Sequence, residues 1–155
     1  MPIPPFVAEL RTLVGTHELW LPGVTAVVRR GDELLLTKRA DNGDWAPVTG
    51  IVDPGEEPGV AAAREALEEA GVEVSVDRLA SVGVVPDVVY ENGDRASYLD
   101  VTFACTWVSG EARVADDENV DVRWWPIDAL PTLSASVRRR IDDALAGETA
   151  ARFRS

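Results

Sequence analysis

From Gly50 to Val72 the chain reads GIVDPGEEPGVAAAREALEEAGV, a stretch that leaves the polypeptide little choice of local structure. Pro58 suits a first helical turn, where a missing N–H costs nothing, and Gly71 suits the residue just past the end, where the backbone turns left-handed. At about 100° per residue, Glu65, Glu68 and Glu69 fall within an arc of roughly 100° on one side of that helix. Val60, Ala63, Leu67 and Ala70 fall on the opposite side, so the spacing predicts a helix that packs through this apolar stripe and gathers charge away from it.

Carboxylates at i, i+3 and i+4 repel one another by a few tenths of a kcal/mol per pair, and a bound cation reverses the sign. Hard divalent ions such as Mg²⁺ take oxygen ligands and join a few carboxylates to a substrate's phosphates. Glu56, one short loop upstream, offers a fourth carboxylate. Gly50 and Gly55 let the preceding loop turn tightly and leave N–H groups open to an anion. An isolated acidic run is ordinarily a solvated helix face. A glycine-bearing loop feeding such a helix is instead a plausible pyrophosphate site.

Gly50, Glu56 and then Arg64-Glu65-Ala66-Leu67-Glu68-Glu69-Ala70-Gly71-Val72 resemble the Nudix box, the signature of the Nudix hydrolases. Its fixed positions, Gly50, Glu56, Arg64, Glu65, Glu68, Glu69 and Gly71, are all filled at the right spacing; the aliphatic position is only Ala66. The resemblance implies that Glu65, Glu68 and Glu69 hold Mg²⁺ or Mn²⁺, that Glu56 lies close to the metal, and that Arg64 pins the loop by pairing with an acid in it. It implies catalytic work for Glu56, Arg64 and Glu69, and hydrolysis within the phosphate chain of a nucleoside diphosphate linked to another group. Relatives often read Leu-Pro-Gly-Gly into the box, whereas this chain has Pro47-Val48-Thr49-Gly50, which bears on how closely the backbone approaches substrate at Gly50.

Charge narrows the partners. The formal net charge is -12, and Lys38 is the only lysine among fifteen basic residues, a balance that argues against a nucleic-acid polymer or an anionic membrane. A small polyanion would need metal ions and local arginines to enter. Cys105 is the sole cysteine, so a reducing cytoplasm is the expected home, and no run of eighteen apolar residues occurs.

Along the chain, Phe6, Leu10 and Leu13/Val14 predict a short helix stopped by Gly15. Gly23 to Arg30 and Glu33 to Arg39 read as strands joined at Gly31-Asp32, and Trp45 precedes a short strand into the box. An aromatic at this place lies near the nucleotide in many Nudix enzymes, which makes Trp45, with Gly50, a candidate substrate contact; a core-packing Trp is as good a reading. Val72 to Val85 reads as one or two strands, Asn92-Gly93 as a hairpin turn, Ala96 to Val108 as a central strand and Asn119 to Trp125 as a last one. Leu133, Val137, Ile141 and Leu145 predict a final helix capped by Thr132 or Ser134, with Arg138-Arg139-Arg140 on its solvated face. The expected whole is an α/β protein, a three-layer α/β/α sandwich with a mixed sheet as in the Nudix fold: an extension over 1–20, one domain over 21–147 and a loose tail over 148–155.

A phosphoanhydride is protected chiefly by its own charge, so the expected mechanism is direct attack of water on phosphorus with no covalent enzyme intermediate. The general base is open among Glu56, Glu69 and Glu118, the last in an acidic loop, Asp116-Asp117-Glu118, that would swing in. ADP-ribose, sugar-nucleotides, noncanonical nucleoside triphosphates and dinucleoside polyphosphates all stand as substrates. The alternative is a Nudix-fold module that binds a nucleotide without cutting it. Many Nudix relatives are homodimers, and the N-terminal helix and strand are where an interface of that kind is expected.

Overall fold

The computed structural model describes residues 3–155, and the first two residues of the N-terminal extension lie outside it. Helix α1 spans Pro5–Val14, followed by strands β1 Leu19–Arg30, β2 Glu33–Arg39, β3 Trp45–Ala46 and β4 Val48–Ile51. Helix α2 spans Pro58–Ala70, then β5 Glu73–Val89, β6 Arg95–Ser109, β7 Asn119–Pro126, a 3₁₀ turn Ile127–Ala129 and α3 Ala135–Leu145. β1 and β6 pair in parallel and every other strand pair is antiparallel, so the sheet is mixed. Among the described residues no helix is long and apolar enough to cross a membrane.

The near-continuous apolar runs of β1 and β2 reflect burial on both sides of the sheet. Val24, Ala26, Val28 and Leu35 point to α2, while Val27, Leu34 and Leu36 point to α3, whose Val137, Ile141 and Ala144 complete a second core. Two helices on opposite faces of one sheet give the expected three layers. A third, smaller cluster sets Val7 of α1 against Leu21 and Ala96, which places α1 on its own chain, with Leu10, Leu13 and Val14 left exposed.

Beyond the Gly31-Asp32 turn β1 and β2 stay paired only at Arg29↔Leu34 and Arg30↔Glu33. The segment 45–51 fills the opening: β3 pairs β2 at Thr37 and Lys38, and β4 pairs β1 from Gly23 to Ala26. This wedge sets Gly50 directly under α2. The stretch after α2, expected as one or two strands, is a single 17-residue strand whose bulges let it follow β6 through the hairpin at Asn92-Gly93.

Three expectations change. The stripe Val60, Ala63, Leu67 is not the packed side of α2, since Val60 is 59% and Leu67 51% exposed. The helix seats itself through Ala61, Ala62, Ala66 and Ala70, whose small side chains let it lie close to the sheet, with Glu65 and Glu69 on the same buried side. Arg138 pairs with Asp142 on the surface as expected, but Arg140 turns inward and is part-buried: its Nη1 donates to Thr25 Oγ1 at 2.7 Å and lies 3.5 Å from Asp100. The tail is docked, with Arg152 N–H donating to Ala80 O at 2.9 Å and Val82 N–H to Arg152 O at 3.1 Å. Arg152 and Arg154 both reach the buried Asp143, at 3.3 and 3.1 Å.

Candidate metal and catalytic site

Glycine at position 50 is a packing requirement: a Cβ built there would land inside the Glu65 side chain. Glu65 is fully buried as a result, and Gly71, with φ 70°, closes α2 as a left-handed cap whose N–H reaches back to Leu67 O at 3.0 Å. Thr49 pairs with Thr25 on β1 and, one residue from Gly50, points to the opposite side of β4, so its side chain does not crowd α2.

Arg64 ties the loop to the helix. Its Nε and Nη2 donate to the two oxygens of Glu56 at 2.8 and 2.9 Å, and Nη2 also donates to Ile51 O at 3.2 Å. Its Nη1 donates to Glu65 Oε1 at 2.8 Å and Glu68 Oε2 at 3.2 Å. The forked pair holds the Glu56 carboxyl below its usual range and Arg64 above its own. Glu56 also accepts from Asp53 N–H at 3.1 Å, so both its oxygens are committed to shaping the loop. Glu68 stays exposed beside Arg64.

Glu69 faces a different set of partners. Segment 113–118 is bonded to the end of α2, Arg113 N–H donating to Ala70 O at 3.1 Å and Ala115 N–H to Glu69 O at 3.2 Å, which satisfies carbonyls the helix cannot. Ala40 N–H donates to Glu118 O at 2.8 Å from the other side. The acidic loop is therefore already in place and needs no swing. One oxygen each from Glu69, Asp116 and Glu118 lies within 4.8 Å of the others, and Asn119 Nδ2 donates to Glu69 Oε2 at 3.2 Å.

Burial pushes Glu65 up to about 7, against the pull of Arg64, and burial reinforced by Glu65 and Glu118 pushes Glu69 up to about 8. Among the described residues, Glu65 Oε2 is buried with no hydrogen-bond partner. An all-oxygen donor set with an orphaned buried carboxylate oxygen beside it fits a hard divalent cation.

Of the residues the sequence singled out, Gly50, Glu56, Arg64, Glu65, Glu68, Glu69 and Glu118 gather around α2, with Glu65 and Glu69 on its buried side, Glu68 exposed beside Arg64 and Glu118 near its end. Trp45 does not join them: it packs edge-to-face on Trp125, centroids 5.2 Å apart, in the core on the α3 side. Sequence reasoning had Asp116 only as part of an acidic run and missed Asn119 and Arg39. Arg39 is gripped by Asp41 through two bonds of 2.9 and 2.7 Å and pairs with Asn119 across β2 and β7. Nothing in local sequence pattern marks either residue, because both act across strands.

The family model described as the NUDIX domain matches residues 19–145. The chain is 35% identical over 126 residues to the NAD-capped RNA hydrolase NudC of Pseudomonas aeruginosa, covering 79% of this chain and 42% of that protein. It is also 35% identical over 132 residues to a MutT-like protein of Streptomyces ambofaciens, covering 84% of this chain and 79% of the relative. The chain thus spans less than half the length of the first of these relatives. Among solved structures, a NUDIX hydrolase from Nitrosomonas europaea superposes with a TM-score of 0.69 at 27% identity, over 86% of this chain and 93% of that one.

Proposed function

The chain belongs to the NUDIX family, and from that premise we propose that it is a Mg²⁺- or Mn²⁺-dependent hydrolase of phosphoanhydride bonds in small nucleoside diphosphate derivatives. The observation that carries this reading is the convergence of Glu69, Asp116 and Glu118 beside the buried Glu65. Glu69, Asp116 and Glu118 would hold the cation together with the other expected ligands, Glu65 and Glu68, which Arg64 keeps alongside. When bound, the cation supplies charge neutralisation and Lewis acidity to the phosphate chain.

The remaining work belongs to this chain's own side chains. Arg64 fixes the loop through Glu56, so both serve by positioning. Arg39, held by Asp41 and paired with Asn119 across β2 and β7, is a cation on the strand beside the acidic segment that would meet the phosphate chain of the incoming polyanion. Water's oxygen bonds to phosphorus, the bridging P–O bond breaks with its electron pair leaving on the departing phosphate, and a proton passes to a site carboxylate, Glu118 or Glu69. Single-turnover hydrolysis in ¹⁸O-water tests this: label in the phosphoryl product is expected, and unlabelled oxygen there would mean attack by an enzyme group.

ADP-ribose, sugar-nucleotides, NAD and noncanonical nucleoside triphosphates form the substrate class. The NudC relatives' names add an NAD-capped RNA end to the substrates worth testing. With a formal net charge of -12 the protein is poorly suited to a long RNA body, so capped RNA is expected to be cleaved no faster than free NAD. The deciding experiment is a chromatographic screen of these compounds with Mg²⁺ or EDTA, wild type beside Glu69→Gln. Cation-dependent cleavage lost in the variant supports the hydrolase. No cleavage of any compound by protein that binds Mg²⁺ would replace it with a nucleotide-binding module.

A further inference from the structure

A bulge in β7 exchanges the places of two residues. The β2–β7 register runs one for one from Glu33↔Pro126 to Lys38↔Asp121 and then steps to Arg39↔Asn119, skipping Val120. Strict alternation would put Val120 on the α2 side with the buried Val122 and turn Asn119 away from it. Instead Val120 is 60% exposed and Asn119, only 6% exposed, takes the inward place. An apolar residue has been left outside so that an amide can be inside.

There Asn119 Nδ2 donates to Glu69 Oε2 at 3.2 Å and to Asp116 Oδ1 at 3.3 Å. One NH₂ group spans two of the three converging carboxylates. We propose that Asn119 is a positioning residue of the cation site, setting the spacing and orientation of Glu69 and Asp116 so that, with Glu118, they take a hard divalent cation. This rests on the reading of that cluster given above.

The chemistry favours an amide over the other donors. A lysine or arginine at this place would neutralise the acids itself and occupy the cation's role, whereas a neutral NH₂ orients both carboxylates and leaves their charge available. The acidic segment does not depend on this side chain for its place, because main-chain bonds from Ala40 to Glu118 and from Ala115 to Glu69 already hold it. Loss of the amide therefore loosens the carboxylates without releasing the loop.

The test is Mn²⁺ binding alone, without substrate, followed by electron paramagnetic resonance or calorimetry on the full chain. Wild type, Asn119→Ala, Glu69→Gln and Ser134→Ala are compared, the last a destabilising change at the distant α3 cap. Asn119→Ala is expected to weaken Mn²⁺ binding about 10–100-fold, as loss of a partner behind a metal ligand does, with Ser134→Ala unchanged. Asn119→Ala binding within about threefold of wild type, well short of that range, would overturn the inference, while loss in Glu69→Gln would leave the cation site standing. Wild type that binds no Mn²⁺ would overturn both. Should Asn119→Ala fail to fold, Asn119→Ser carries the same two outcomes.

Discussion

Glu65 and Glu69 are one helical turn apart, and the backbone beneath them decides how much water each sees. Gly50 makes the room that Glu65 fills, so Gly50→Ala should cost about 1–3 kcal/mol, as overpacking does. That corresponds to a Tm lower by about 2–4 °C per kcal/mol, read by calorimetry, with turnover falling although residue 50 carries no reacting group. An unchanged Tm would mean that Glu65 does not depend on this glycine. The raised carboxyls also predict a pH dependence. Folded Glu65 and Glu69 titrate at about 7 and about 8 against an ordinary 4.5, so between those limits the folded state keeps protons the unfolded chain has released. Their contribution to stability is full below 4.5 and is lost as pH rises through 7 to 8; Glu56 and Asp143, held low, act only below that window. Melts in EDTA should therefore lose Tm from about pH 5 to pH 8.5, and Mg²⁺ should restore more of it at the alkaline end. A Tm in EDTA that rises over this range would contradict the assignment.

Helix α2 shows what an element adds to its residues. Its ends, Pro58 as first residue and Gly71 as C-cap, stand where the local sequence puts them, yet the side that packs is not the side with the larger apolar residues. Four alanines seat the helix because a close approach is what brings Glu65 and Glu69 down to the level of Gly50. Ala66→Leu, a gain in apolar bulk, should accordingly destabilise by about 1–3 kcal/mol, whereas Leu67→Gln on the exposed side should stay within about 0.5 kcal/mol. Urea unfolding of the two variants checks this, and the reverse order would return the packing role to the outer stripe. At the other helix, Ser134 Oγ accepts from Val137 N–H at 3.3 Å, so Ser134→Ala should cost about 0.5–2 kcal/mol.

At the scale of the molecule, two distant pieces of chain complete what the central elements begin. The tail adds a short parallel bridge to β5 at Ser81 and brings Arg152 and Arg154 to Asp143, which would otherwise be a buried carboxylate near the end of α3. Removing residues 148–155 should lower Tm by several degrees and sharpen its fall at neutral pH, and Asp143→Asn should recover part of the loss in the truncated chain. Equal stability of truncated and full chains would show the docking to be idle. The acidic segment before β7 is the second piece: 47 residues past Glu69 in the case of Asp116, it comes to α2 only because β7 pairs with β2 and the segment's N–H groups cap the helix end.

The sequence by itself determined the helix of the box, its two ends, the strands and their turns, the last helix with its cap, and the layered α/β class, because each of these rests on contacts between residues a few positions apart. The grouping of Glu56, Arg64, Glu65, Glu68 and Glu69 was legible through the resemblance to the Nudix box, whose positions lie within one loop and one helix. Which side of α2 is buried, the bulge that turns Asn119 inward, the inward turn of Arg140, the docking of the tail and the meeting of Asp116 with Glu69 were decided only by tertiary structure. Each depends on which strand lies beside which and in what register, and periodicity within a single segment carries no record of that.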